Sequence, residues 1–130
     1  MATHGAPRIV VVDDTAPGAD AVCAALADAG YRPQAAYSGE DALAWCERFA
    51  AHLVLLDIEM PEIDGFETAR ALRSREATRE TVIIACTALP LERVAANSRR
   101  GEFDGYCRKG ADFRLICQLV EAFARGRGRG

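Results

Sequence analysis

Apolar runs and segments of helical periodicity alternate along the chain. The aliphatic run Ile9–Val12 contains no polar alternation, which favours a strand buried on both faces. In the segment that follows, apolar residues recur at helical spacing at Val22, Ala25, Leu26 and Ala29, which predicts an amphipathic helix. Five such strand–helix pairs follow one another.

Short polar signals mark where several helices begin or end. Ser38 with Asp41 three residues later resembles a capping box, Asp112 is placed to cap the last helix, and Gly30 is placed to end the first. The predicted strands are 9–12, 32–37, 52–56, 81–86 and 103–107, and the predicted helices are 15–29, 38–50, 65–74, 90–98 and 112–123.

This order of elements predicts an α/β fold. Short loops and right-handed crossovers turn alternating strands and helices into a five-stranded parallel sheet with helices on both faces, a doubly wound (βα)5 arrangement. In such sheets, functional groups lie at the carboxyl ends of the strands. We expect one domain over residues 8–124, between a flexible N-terminus (1–7) and a disordered Arg/Gly tail (125–130).

Composition narrows the classes of function. The chain has 130 residues and a net charge of −3, so it presents no basic field that would attract nucleic acid or a membrane surface. It contains neither an apolar run of about 18 residues nor the apolar core of a signal peptide, so we expect a cytoplasmic protein. The five cysteines include no C-x-x-C pair and lie in apolar segments, which predicts core thiols in a reducing compartment.

Polar residues follow four of the predicted strands. Asp13 and Asp14 follow the first, Asp57 the third, Thr87 the fourth and Lys109 the fifth. If these strands are neighbours, three carboxylates share one cleft, where each pair at ~4 Å costs about 1 kcal/mol in water and about 4 kcal/mol at an effective dielectric near 20. Carboxylate oxygens with open water positions suit Mg²⁺, and a lysine and a hydroxyl beside them suit a phosphoryl group. Asp57 would then be the nucleophile that carries it.

The motifs VVVDD, LLDIEMPEIDG, ACTA and GYCRK, with the spacing from Thr87 to Lys109, resemble the receiver domain of two-component response regulators over about Pro7 to Ala124. The resemblance implies the flavodoxin-like strand order 2-1-3-4-5 and a signalling switch. It implies that Asp57 takes a phosphoryl group from a phosphohistidine of a sensor histidine kinase or histidine phosphotransfer protein. Such a domain is not an enzyme beyond its own phosphorylation and dephosphorylation.

The resemblance also assigns roles around Asp57. Asp14 would bind Mg²⁺ directly and Asp13 mainly through water, and the backbone carbonyl of Glu59 would supply a further ligand. The phosphoryl group would be held by three residues and read out by a switch aromatic that moves inward when the hydroxyl is drawn to the phosphate. These are Thr87, the amide of Ala88 and Lys109 for binding, and Thr87 with Tyr106 for the switch. The readout would be a change in the binding of a downstream protein partner.

Three positions qualify this assignment. Lys109-Gly110 stands where the family usually has Lys-Pro with a cis bond; because a non-proline cis bond costs about 2.5–4 kcal/mol, we expect a trans or strained bond. Glycine tolerates unusual dihedral angles, which would still allow Lys109 to reach the site. The acidic Glu59 would either tune the phosphorylation rate or point into solvent, and the apolar Leu89 would shield an acyl phosphate from water.

Two other classes of function stay open. One is a pseudo-receiver, a binding module that ignores phosphate. The other is a hydrolase of the haloacid-dehalogenase type, which uses an aspartyl phosphate but needs a D-x-D motif where this chain has DDT at 13–15. These 130 residues hold no expected DNA-binding or enzymatic output domain, which fits either a single-domain regulator or the receiver of a hybrid kinase.

Overall fold

A computed structural model describes residues 5–99 and 101–128. Five strands alternate with five helices, as the sequence pattern predicts. In chain order they are β1 Arg8–Val12, α1 Ala16–Asp28, β2 Arg32–Ala36, α2 Gly39–Phe49, β3 Leu53–Asp57, α3 Gly65–Ser74, β4 Val82–Thr87, α4 Leu91–Asn97, β5 Gly105–Arg108 and α5 Phe113–Gly128. Most boundaries lie within two residues of the prediction.

The five strands form one parallel sheet in the order β2-β1-β3-β4-β5. The predicted fold class and strand order are therefore confirmed. The chain reverses direction across the sheet between β2 and β3, so the carboxyl ends of β1 and β3 lie side by side. In parallel sheets this position opens a crevice between the loops that leave the two strands.

The sheet is covered on both faces, which explains why its central strands are continuously apolar. On one face, Ile9 and Leu55 pack with residues of α1 and α5 such as Leu26 and Val120. On the other face, side chains of α2 and α3 complete a second cluster that includes Val10, Val54, Cys46 and Leu72. Each side of the sheet has its own core, and β3 contributes to both.

Three helix starts have side-chain caps, and two of these caps, Ser38 and Asp112, are at the predicted residues. The Ser38 hydroxyl accepts a hydrogen bond from the amide of Asp41 (3.0 Å), and an Asp112 carboxylate oxygen accepts one from the amide of Arg114 (2.8 Å). Asp64 and Glu67 form a reciprocal capping box at α3, with distances of 2.9 and 3.0 Å. These caps satisfy amides that have no partner within the helix.

The C-terminal segment differs from the expectation. The disordered tail was expected from Arg125, but α5 continues to Gly128, and only residues 129–130 of that segment lie outside the described residues. Arg125 forms an ion pair with Glu121 one turn earlier, which supports the helix as far as this residue. At the other end, residues 1–4 of the expected flexible N-terminus lie outside the described residues. The carbonyl of Pro7 accepts a hydrogen bond from the amide of Arg32 (3.0 Å).

Within the part of the chain that the structure describes, no helix combines the length and the apolar character needed to cross a membrane.

The α3 capping box makes a testable contribution to stability. Asp64→Ala removes the acceptor for the Glu67 amide, so we expect the free energy of unfolding to fall by about 1 kcal/mol in urea titrations. Asp64→Asn keeps a side-chain acceptor and serves as the matched control, with a loss of only a few tenths of that amount. Equal losses in the two variants would contradict the capping role.

Candidate functional site

Three aspartates form a compact acidic cluster at the carboxyl edge of the sheet. One carboxylate oxygen from each of Asp13, Asp14 and Asp57 lies within 4.8 Å of the others. Asp57 is 1% exposed, whereas Asp14 is exposed and Asp13 is intermediate. The cluster therefore has a buried floor and an open mouth.

The register of the sheet brings these residues together. Val12 of β1 pairs with Leu56 of β3, so the next residue of each strand, Asp13 and Asp57, lies beside the other. Because both neighbours of Asp57 along the chain are buried, the backbone that carries this carboxylate is held on both sides. A side chain mounted on such a strand keeps its position more closely than one on a loop.

Lys109 provides the cationic partner. Its Nζ lies 3.0 Å from Asp57 Oδ2 and 3.7 Å from Asp13 Oδ1, and its backbone amide donates to the carbonyl of Thr87 at 2.9 Å. All described peptide bonds are trans, and Gly110 has a φ of 85°. The expected trans bond is confirmed, and glycine at 110 supplies a left-handed backbone that other residues rarely adopt.

The charge balance of the cluster is set mainly by burial. Burial raises the pKa of Asp57 from 3.8 to about 6, opposed by the hydrogen bond and charge of Lys109 and by the amide of Glu59, while the charge of Asp13 adds to the rise. For Lys109, burial lowers the pKa, but Asp57, Asp13 and Asp14 outweigh that effect and the net pKa is raised. Lys109 therefore stays protonated. The charged form of Asp57 remains partly destabilised, because burial removes its hydration.

Thr15 is a contributor that the sequence reasoning did not single out. Its amide and its hydroxyl both donate to Asp13 Oδ1, at 3.0 and 2.8 Å, and fix the direction of that carboxylate. A Cβ at Gly18 would lie 2.8 Å from Asp13 Oδ2, so only glycine leaves room for the carboxylate against the first turn of α1. The signal was present in the sequence, since Asp followed two residues later by Thr is a common local hydrogen-bonding pair.

The other predicted site residues lie around this core. Thr87 is fully buried at the end of β4, and Ala88, which follows it, is exposed. The Glu59 side chain is exposed, while its amide lies 3.3 Å from Asp57 Oδ1. The structure thus joins Glu59 to Asp57 through the backbone, and it records no contact that joins the Thr87 hydroxyl or the Ala88 amide directly to Asp57.

Leu89 links Thr87 to Tyr106. Its amide donates to the Thr87 hydroxyl at 3.1 Å, and its carbonyl accepts from the Tyr106 hydroxyl at 2.6 Å. The Tyr106 ring packs against a small cluster that includes Ala85 and Val94. The loop after β4 is therefore tied to β5 through one residue.

Comparison with known families decides the classification. Residues 9–121 match the family described as response regulator receiver domain. The chain belongs to the response regulator receiver family. Receiver domains are regulatory phosphoacceptor domains of two-component systems, and they bind Mg²⁺ at an acidic pocket.

Individual relatives agree with this. The receiver is 30% identical over 119 residues to the DNA-binding dual master transcriptional regulator RpaA of Synechocystis, a match that covers 92% of this chain and 49% of that protein. The match covers a smaller share of several other curated relatives. This chain therefore spans about half or less of the length of these proteins.

Solved structures give the same fold. The N-terminal domain of a response regulator receiver protein from Methanoculleus marisnigri is similar with a TM-score of 0.74 and 34% identity, over 88% of this chain and 94% of that one. Chemotaxis protein CheY4 of Vibrio cholerae reaches a TM-score of 0.86 at 23% identity, over 92% and 99% of the two chains. The latter likeness concerns the fold alone.

The acidic cluster fits a magnesium ion by its chemistry. Mg²⁺ prefers hard oxygen ligands and keeps several waters. This site offers the buried carboxylate of Asp57, the exposed carboxylate of Asp14 and the carboxylate of Asp13, whose exposure is intermediate. The one lysine at its edge offsets only part of the negative charge.

Because the pKa of Asp57 is raised, the free energy of unfolding should depend on pH. A carboxyl whose pKa is higher in the folded than in the unfolded protein stabilises the fold below the unfolded value, and that contribution is lost as the pH rises through the folded value. The wild type should therefore lose stability relative to Asp57→Asn between pH 3.8 and about 6. At about 1.4 kcal/mol per pKa unit, the variant gains up to about 3 kcal/mol at neutral pH.

This is measured by urea unfolding across that pH range with a chelator present, because a bound divalent cation would offset the penalty. A stability difference between wild type and Asp57→Asn that does not change with pH would contradict the assignment.

Proposed function

We propose that this receiver is a phosphorylation-dependent signalling switch whose phosphoacceptor is Asp57. The support is the placement of one carboxylate that is 1% exposed, hydrogen-bonded to Lys109 and within 4.8 Å of carboxylate oxygens of Asp13 and Asp14. Such a carboxylate is rigidly held, faces a cation and opens to solvent on the side of Asp14. These are the requirements for accepting a phosphoryl group.

The transfer is a displacement at phosphorus. A carboxylate oxygen of Asp57 attacks the phosphorus of a phosphohistidine, an O–P bond forms as the P–N bond breaks, and the imidazole leaves with the electron pair and takes up a proton. The donor is a sensor histidine kinase or a histidine phosphotransfer protein. Lys109 neutralises charge on the phosphoryl oxygens without giving up its proton, since its neighbours raise its pKa.

Several residues complete the site. Asp14 and Asp57 would hold Mg²⁺ directly, Asp13 would act mainly through water, and the backbone carbonyl of Glu59 would supply a further ligand. When bound, the ion offsets the negative charge that gathers between the carboxylates and the incoming phosphoryl group. Thr15 keeps Asp13 turned toward this point with two hydrogen bonds.

The signal would pass from the phosphoryl group to the face around Tyr106. Phosphorylation adds roughly −1.5 to −2 charge beside Lys109 and Thr87. A Thr87 hydroxyl and Ala88 amide drawn to the phosphoryl oxygens would pull on Leu89, which is hydrogen-bonded to both Thr87 and Tyr106. A downstream protein partner would read the resulting change.

Two side chains near the cleft are proposed to tune the rates. The Glu59 side chain is exposed, so its charge would act on the approaching anionic phosphodonor. Leu89 is partly buried beside Thr87, where its apolar side chain would limit the access of water to an acyl phosphate.

The rival functions make different demands. A pseudo-receiver has no need of the contact of Lys109 with Asp57, which this chain keeps at 3.0 Å. A haloacid-dehalogenase hydrolase places its nucleophile after the first strand, whereas here the buried acid follows the third. Both observations favour the switch.

Intact-mass analysis tests the proposal. The protein is incubated with acetyl phosphate, and separately with phosphoramidate, whose P–N bond resembles that of phosphohistidine, each with and without Mg²⁺. We expect the gain of one phosphoryl group that requires Mg²⁺ and is absent in Asp57→Asn. Asp28→Asn makes the same change at an exposed carboxylate at the far end of α1 and should be phosphorylated like the wild type.

Each alternative outcome has a meaning. The absence of a mass gain with either donor would favour the pseudo-receiver. Continuous release of phosphate from small phosphoesters, without a stoichiometric limit, would favour the hydrolase.

A further inference from the structure

Two free cysteines face each other across the last two strands. Cys86 of β4 and Cys107 of β5 are register partners, so their side chains project from the same face of the sheet. Both pack in the cluster between the sheet and helices α1 and α5. The two thiols are near enough for each to shift the pKa of the other.

The cysteine pair continues the row of residues that contains the phosphoacceptor. Asp57 is the register partner of Cys86 across β3 and β4, so Asp57, Cys86 and Cys107 lie side by side on three neighbouring strands. The proposed phosphotransfer uses the first of these groups and leaves the two thiols without a role.

A cavity connects the pair with solvent. It has a volume of about 310 Å³ and is lined by both thiols, by Asp57 and by residues that are themselves exposed. The exposed lining residues are Thr15, Ala21, Arg108, Lys109, Gly110 and Phe113. A molecule of the size of hydrogen peroxide, not much larger than water, fits such a space.

The backbone geometry permits a covalent link. Neighbouring strands lie about 4.7–4.9 Å apart, and disulfides join residues whose Cα atoms are about 4.4–6.8 Å apart. Register partners on adjacent strands therefore meet the distance requirement without a shift of the sheet. The other three cysteines are not paired with either thiol in this register.

The interaction of the two thiols also affects their reactivity. The proximity of Cys86 lowers the pKa of Cys107 to about 7, although burial acts in the opposite direction. Cys107 is thus the better nucleophile and Cys86 the resolving thiol.

We propose that Cys86 and Cys107 form a redox-active dithiol that a hydroperoxide oxidises to an intramolecular disulfide. The Cys107 thiolate attacks one peroxide oxygen, the O–O bond breaks, and hydroxide leaves and is protonated to water, which gives a sulfenic acid at Cys107. The Cys86 sulfur then attacks the Cys107 sulfur, the S–O bond breaks, and the oxygen leaves as a second water with the proton of Cys86. The peroxide gains the two electrons that the two thiols lose.

The disulfide would lie beside two residues of the candidate functional site. Thr87 follows Cys86 directly, and Lys109 lies two residues beyond Cys107. The disulfide therefore fixes the spacing of the two strand ends that carry these side chains. The proposal itself does not rest on the proposed function, because thiol oxidation is measured on unphosphorylated protein.

Peptide mapping after hydrogen peroxide treatment tests the dithiol. Free thiols are alkylated and the protein is digested with trypsin without reduction. Cys86 lies in the peptide Glu80–Arg93 and Cys107 in Gly101–Arg108, each with no other cysteine. We expect these two peptides to be linked, with a mass lower by two hydrogen atoms than their sum, and to separate after treatment with dithiothreitol.

Variants make the result specific. Cys107→Ala should abolish the linked species, whereas Cys117→Ala, which alters a partly buried thiol on α5, should leave it unchanged. Cys86→Ala provides a second disruption and should leave a sulfenic acid at Cys107 that a dimedone probe traps. Over-oxidation of Cys107 alone in the wild type, or links only to other cysteines, would overturn the proposal.

Discussion

The carboxylate of Asp57 is the group on which the rest of this molecule depends. It is buried at the end of an apolar strand, and burial alone raises its pKa well above the usual range. Lys109 at 3.0 Å lowers the cost of its charge but does not remove it, because burial outweighs the attraction of Lys109 and the charge of Asp13 adds to the rise in pKa. The charged form of Asp57 therefore remains less stable in the folded protein than in water. A cation bound between the carboxylates would offset their charge and stabilise this form.

The packing of the sheet holds Asp57 in this buried position. Strand β3 is apolar on both faces and packs into both cores, so moving Asp57 toward water would disturb packing on two sides. The strand order places β1 and β4 beside β3, and β5 beside β4. The carboxyl ends of these four strands therefore lie at the same edge of the sheet. The loops that leave this edge, such as the one bearing Leu89, connect the site to the surrounding surface.

Much of the fold could be predicted from local sequence, because β1, β3 and β4 contain continuous apolar runs and several helices carry a cap residue such as Ser38. Residues that follow strands, such as Asp57 and Lys109, were visible for the same reason. What could not be predicted depends on contacts between distant segments. The pairing of Cys86 with Cys107 requires the register of two strands. The extension of α5 to Gly128 was not predicted either, because the Arg/Gly composition of that segment is typical of disorder.

The most direct test of the central electrostatic claim is thermal unfolding of the wild type and Asp14→Asn in magnesium chloride and in sodium chloride of equal ionic strength, at neutral pH. An ion that binds only the folded protein stabilises it by RT ln(1 + L/Kd), where L is the free ion concentration, and so raises the melting temperature. The account predicts a higher melting temperature in magnesium chloride than in sodium chloride for the wild type, and loss of most of that difference in Asp14→Asn, which alters an exposed carboxylate of the cluster. Equal melting temperatures of the wild type in the two salts would contradict it.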